Sequence, residues 1–140
     1  MARRDKIYEI VKIALEKDDW KVKKKPLAVK IPGEDKELEV DMEAEKVMVA
    51  KKGSKQIAVE IKSFAEPSII HTFHKVLGQY VNYKDLIAAN KQPHELFVAI
   101  PDFAFDEIEK SPFMLGQMKK YGMKAFVVNL EEKVIEKWIK

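Results

Sequence analysis

Apolar residues fall at Ile7, Ile10, Val11, Ala14 and Leu15 within residues 4–18. That i, i+3, i+4, i+7, i+8 spacing marks one face of an amphipathic helix, which Asp18-Asp19 closes. The period then falls to two. Trp20-Lys21-Val22-Lys23 alternates, and Leu27-Ala28-Val29-Lys30-Ile31 resumes in extended form after Pro26. Pro32-Gly33-Glu34-Asp35 predicts a turn. Leu38-Glu39-Val40-Asp41-Met42 and Val47-Met48-Val49-Ala50-Lys51 predict further strands. Lys52-Gly53-Ser54-Lys55 predicts a tight hairpin turn between the last of these and the next strand. Residues 38–63 therefore predict a meander of two or three antiparallel strands.

The strand after the hairpin, Ile57-Ala58-Val59-Glu60-Ile61-Lys62-Ser63, organises the rest. Side chains along a strand alternate between faces. Ile57, Val59 and Ile61 share one face, and Ala58, Glu60 and Lys62 share the other. A run this apolar predicts a central strand covered on both sides. Two charges on a covered face are costly unless they are paired or belong to a site.

Past Pro67 the period returns to 3.6. Ser68 is a suitable N-cap, and Ile69, Phe73, Val76, Leu77, Tyr80, Val81, Ile87 and Ala88 predict a long helix to about residue 90. Asn90-Lys91-Gln92-Pro93 stops it. Glu95–Pro101 predicts a buried strand, and residues 104–121 predict one or two short helices around Ser111-Pro112. Gly122 is a suitable C-cap. Lys124–Asn129 and Lys133–Trp138 predict closing strands. The order predicts a mixed α/β sheet flanked by helices.

Composition narrows the class. A chain of 140 residues, 46% of them hydrophobic, predicts one domain spanning 1–140. No apolar run approaches the roughly 18 residues of a membrane span, and no secretory h-region follows Met1. The chain has no cysteine, which removes disulfides, thiolate metal sites and cysteine nucleophiles and fits a cytoplasmic protein. A net charge of +3 permits a nucleic-acid partner but argues for one only weakly. The run Lys21–Lys25 reads as a solvated strand edge. His71, His74 and His94 have no ligand spacing with an identifiable partner, and Phe73 and Tyr80 read as core.

The charged strand has a chemical reading. Asp41 ends one predicted strand, and Glu60-x-Lys62 lies on a nearby one. Two carboxylates brought together repel, and a divalent cation relieves that. Hard oxygen ligands suit Mg²⁺ or Mn²⁺. The carbonyl of Ile61 can add a ligand, and Lys62 can orient a water and offset phosphate charge. These are the parts of metal-assisted phosphodiester hydrolysis. The rival reading is a structural Glu60–Lys62 pair on a sheet face.

The arrangement resembles the PD-(D/E)xK nuclease superfamily, with Val40-Asp41 where that family usually has Pro-Asp. The resemblance implies a further acid on the first helix, for which Glu9 is the candidate and Glu16 stands behind it; a solvated helix residue is the other reading of Glu9. Gln79-Tyr80-Val81-Asn82-Tyr83 is similar to the Gln-x-x-x-Tyr signature of the RecB-like branch, which implies site roles for Gln79 and Tyr83. Val40-Asp41 with Ala44-Glu45-Lys46, Ala58-Val59-Glu60-Ile61-Lys62-Ser63-Phe64, Leu77-Gly78-Gln79-Tyr80 and Val98-Ala99-Ile100-Pro101 together resemble the XisH family of fdxN-element excision controlling factors. That likeness implies a restriction-endonuclease-like fold, DNA as partner, an XisI-like protein partner and a role in excision of a DNA element during heterocyst differentiation. Glu43 stands where a Gly is expected in that family. Homo-oligomers stay open. The alternative function is a catalytically inactive nuclease-fold binding protein that regulates a site-specific recombinase through a protein partner.

Overall fold

The computed structural model describes residues 2–24, 27–34, 37–39, 41–42 and 45–140, and side chains over 6–24, 27–34 and 49–140. The elements run α1 (Ala2–Lys17), β1 (Lys21–Val22), β2 (Ala28–Lys30), β3 (Glu37–Glu39), β4 (Asp41–Met42), β5 (Glu45–Lys52) and β6 (Lys55–Ile61). They continue as α2 (Ile69–Ala89), β7 (Glu95–Pro101), α3 (Asp102–Glu109), α4 (Pro112–Lys120), β8 (Ala125–Asn129) and β9 (Val134–Ile139).

The main sheet has the order β1-β5-β6-β7-β8-β9, with β4 also paired to β5. It is mixed: β6–β7 and β7–β8 are parallel, and the other pairs are antiparallel. Parallel neighbours need a long crossover. Here α2 carries the chain from β6 to β7, and α3 with α4 carries it from β7 to β8. The hairpin forms at the expected place, with Lys52 opposite Lys55 and Gly53 at φ +62°. The 38–63 meander is divided: β3 pairs with β2 in a separate two-stranded sheet, while β4 pairs with β5. Val40, between them, lies outside the described residues, as do Glu43 and Ala44.

Each face of the sheet has its own core. Ile57, Val59 and Ile61 join Phe97, Ala99, Phe126 and Val128 against Ile7, Val11, Ala14 and Leu15 of α1. Ala58, Val98, Ile100, Ala125 and Val127 pack against Phe73, Val76, Tyr80 and Tyr83 of α2, with Phe105, Ile108, Met114 and Met118 of α3 and α4. The strict alternation along β6 is thus expressed as two cores. Each fully buried large aliphatic or aromatic side chain contributes about 1.5–3 kcal/mol by transfer from water.

Local chemistry sets the helix ends. The Ser68 hydroxyl accepts from the His71 N–H at 3.2 Å and caps α2. Asn90 ends α2 and clamps β2 to it: its Nδ2 donates to Leu86 O at 2.7 Å and Lys30 O at 2.9 Å, and its Oδ1 accepts from Lys30 N–H at 2.8 Å. Ser111 caps α4 through the Met114 N–H at 3.1 Å. Gly122, at φ +62°, follows α4 in the left-handed conformation that a residue without Cβ adopts easily.

Candidate functional site

Glu60 sits one residue before the end of β6, between Val47 of β5 and Val98 of β7. Alternation sends its side chain to the α2 face. There it is 0% exposed, and among the described residues neither carboxylate oxygen has a hydrogen-bond partner. Burial raises its pKa well above the usual carboxylate range, because an unpaired charge in an apolar layer has lost its hydration. Among the described residues no hydrogen bond joins the Glu60 oxygens to Lys62.

The helix α2 lies over this carboxyl. Tyr83 is buried, and its hydroxyl is harder to ionise than a free phenol, first through burial and then through the negative charge of Glu60. Gln79 stands one turn earlier on the same helix face. Its Oε1 is also buried and, among the described residues, without a partner. Tyr80, between them in sequence, does structural work: its hydroxyl lies 3.1 Å from Gly122 O and 3.3 Å from Leu96 O, and it accepts from the Lys124 N–H at 3.2 Å.

Lys62 follows the last residue of β6 and is half-buried. The connection that carries it is held by Phe64, which is buried to 2% exposure and adopts φ +55°. A bulky residue in that region is strained, and the deep burial of the ring holds it there. Glu66 follows. Its Oε1 accepts from the Thr72 hydroxyl at 2.9 Å, and its Oε2 lies 3.6 Å from Lys75 Nζ. The Thr72 hydrogen bond, then Lys75 and, more weakly, Lys62 lower the Glu66 pKa, against a small opposing effect of burial. Lys62 thus stands in the field of an ionised carboxylate. The sequence reading did not single out Phe64, Glu66 or Thr72 as site neighbours. Their spacing carries no motif, and only the turn of chain between β6 and α2 brings them beside Lys62.

Asp41 is not on a strand adjacent to Glu60. Its register partner is Lys46, next in β5 to Val47, the partner of Glu60. One strand separates the two acids, which puts their backbones roughly 10 Å apart at ordinary strand spacing. The carboxylate of Asp41, and the side chain of Glu45, lie outside the described side chains. Ile61 ends β6 with its side chain in the α1 core. Glu9 is exposed on α1, the helix of the opposite sheet face. His71 and His74 are exposed on α2.

Among the described residues no three His, Cys, Asp or Glu side chains gather. The buried donors on the α2 face are the two oxygens of Glu60 and Oε1 of Gln79. These are hard oxygen atoms with no hydrogen-bond partner among the described residues, and in kind they fit Mg²⁺ or Mn²⁺.

Comparisons with known proteins place these features in a wider set. The family model described as XisH protein matches residues 1–136. A crystal structure of an XisH family protein from Nostoc punctiforme is 30% identical, with a TM-score of 0.85 over 97% of this chain and 100% of that one. A crystal structure of an fdxN element excision controlling factor protein from Anabaena variabilis is also 30% identical, with a TM-score of 0.85 over 97% of this chain and 99% of that one. No curated protein matches. Among the described residues no helix is long and apolar enough to cross a membrane.

Proposed function

The chain belongs to the XisH family, and we propose that it is a nuclease-like excision controlling factor that hydrolyses DNA phosphodiesters with Mg²⁺ or Mn²⁺. The observation that carries this reading is Glu60, a wholly buried carboxyl with both oxygens unpartnered among the described residues. Such a group is expensive as mere core. As a cation ligand it needs no hydrogen-bond donor.

In this reading Glu60, Asp41 and the carbonyl of Ile61 hold the cation, and Glu9, on the helix of the opposite sheet face, has no part in it. A divalent cation bound there supplies Lewis acidity and offsets charge on a phosphate. Lys62 orients the attacking water and stabilises negative charge at the phosphoryl oxygen. Gln79 and Tyr83 line the site from α2, with roles in orienting the bound cation or phosphate. The restriction-endonuclease-like fold and the PD-(D/E)xK assignment draw support from the Glu-x-Lys at the end of β6, followed by α2 with its Gln-x-x-x-Tyr. DNA as substrate draws support from the name of the Anabaena variabilis relative. An XisI-like partner and a cytoplasmic setting belong to the same proposal.

Plasmid cleavage with Mg²⁺ and with Mn²⁺ tests it. The protein is expected to cleave only with metal. Lys62→Ala and Glu60→Gln are each expected to reduce the rate by at least about a hundredfold. Equal nicking by protein and variants overturns the assignment. Calorimetry with Mn²⁺ addresses the inactive-regulator alternative. Absence of both binding and cleavage leaves the binding-protein reading in its place.

A further inference from the structure

Both tryptophans of the chain, Trp20 and Trp138, line one cavity of about 300 Å³. It lies on the α1 face where β6 begins, at the other end of that strand from Glu60. Phe97, only 1% exposed, backs Trp138 from beneath, its ring edge-on at 5.1 Å between centroids. The two indoles are 6.0 Å apart and tilted by 39°, too close to sandwich a ring between them. A flat ligand would therefore lie across them.

The rim is cationic. Lys52, Lys55 and Lys140 all border the cavity, and among the described residues none of the three has a salt bridge. Lys52 Nζ stands 5.9 Å from the Trp20 ring centroid, and Lys140 Nζ stands 5.6 Å from that of Trp138. Lys52 and Lys55 are also direct cross-strand partners at the mouth of the β5–β6 hairpin. Like charges placed directly opposite each other destabilise a ladder. An anion between them reverses that. Asp18 also lines the cavity and accepts from Trp20 Nε1 at 3.2 Å, and Glu95, paired with Lys124, feels Lys55 and Lys140 as well, so the rim carries three lysines against one lining carboxylate.

We propose that this cavity binds a nucleobase with its phosphate, the ring against half-buried Trp138 and the edge of Trp20, and the phosphate between Lys52, Lys55 and Lys140. Aromatic floors accept bases of any sequence through their π faces, and lysines attract phosphate as mobile point charges. The volume is at the low end for a small-molecule site, which suits one nucleotide unit. The proposal is independent of the Glu60 site, which lies on the other sheet face.

Because both indoles lie here, intrinsic tryptophan fluorescence reads this cavity alone. Thymidine 5′-monophosphate is expected to quench it saturably, with inorganic phosphate or thymidine binding at least about tenfold more weakly. The Lys52→Glu/Lys55→Glu variant, both positions exposed, is expected to keep its circular dichroism and weaken the nucleotide by at least about tenfold. Lys140→Glu serves as a second variant should the first not fold. A short oligothymidylate binding at least about tenfold tighter than the mononucleotide identifies a nucleic-acid strand as the source, and otherwise the source is a free nucleotide. Absence of saturable quenching overturns the proposal. So does phosphate binding as tightly as the nucleotide, or unchanged nucleotide affinity in a folded variant.

Discussion

Burial and, after it, the carboxyl of Glu60 make the Tyr83 hydroxyl harder to ionise, so β6 and α2 meet electrostatically at these two residues. This influence links an acid in the middle of a sheet to a helix that begins nine residues after it, at Ile69. It also gives the first half of the Gln79-x-x-x-Tyr83 pattern a physical setting, because Gln79 Oε1 is buried on that helix without a partner.

Glu60 sets a pH dependence with a definite sign. Its folded-state pKa is raised by burial, so the metal-free folded chain holds the proton more tightly than the unfolded one. The favourable contribution of the protonated form is complete below the ordinary carboxylate pKa. It is lost as pH rises from there through the raised folded value. Thermal melts without metal are expected to show this decline, and Glu60→Gln is expected to remove it. Mn²⁺ at about a hundred times its Kd is expected to restore about 2.7 kcal/mol to the wild type and nothing to the variant. A wild-type melt that does not fall over that interval would count against an unpaired Glu60.

Lys62 and Glu60 are expected to separate in their effects. Lys62→Ala leaves the buried oxygens of Glu60 and Gln79 in place, so Mn²⁺ affinity by calorimetry should change less than about threefold, while cleavage falls by at least about a hundredfold. Parallel loss of both would make Lys62 a structural support of the cation site.

Phe64 holds the segment after Lys62 by filling the α2-face core from a left-handed backbone position. Phe64→Ala should cost about 3–5 kcal/mol in denaturant unfolding. The strain at φ +55° remains with alanine, so no relief offsets the cavity. A cost below about 1 kcal/mol would show that the segment repacks without the ring.

Tyr80→Phe should cost about 1–3 kcal/mol, because the Lys124 N–H loses its acceptor and the Leu96 and Gly122 carbonyls lose a donor. Metal affinity should stay unchanged, since the Tyr80 hydroxyl faces β7 and the turn before β8 rather than Glu60. A selective loss of metal binding would move Tyr80 into the site.

Much of this architecture was legible along the chain. Strict alternation from Ile57 to Ile61 is read directly as two faces, and the two cores use those residues as expected. Ser68, Ser111 and Gly122 announce helix ends because a cap depends on neighbours only a few residues away. Leu38–Met42 was different. Its alternation is that of one strand, but β3 and β4 take different partners, and pairing is chosen by distant segments that no local period encodes.

The sequence by itself determined which faces of β6 and α2 turn inward, where the chain reverses, and that Glu60 must occupy a covered layer. Those follow from periods of 2 and 3.6 and from turn and cap chemistry, which are local. Tertiary structure alone decided that Glu60 has no hydrogen-bond partner among the described residues, that β5 stands between it and Asp41, and that Trp20 and Trp138 meet across the opposite face with three lysines. Each of those is set by which distant strands lie side by side, a choice made by packing the whole chain at once.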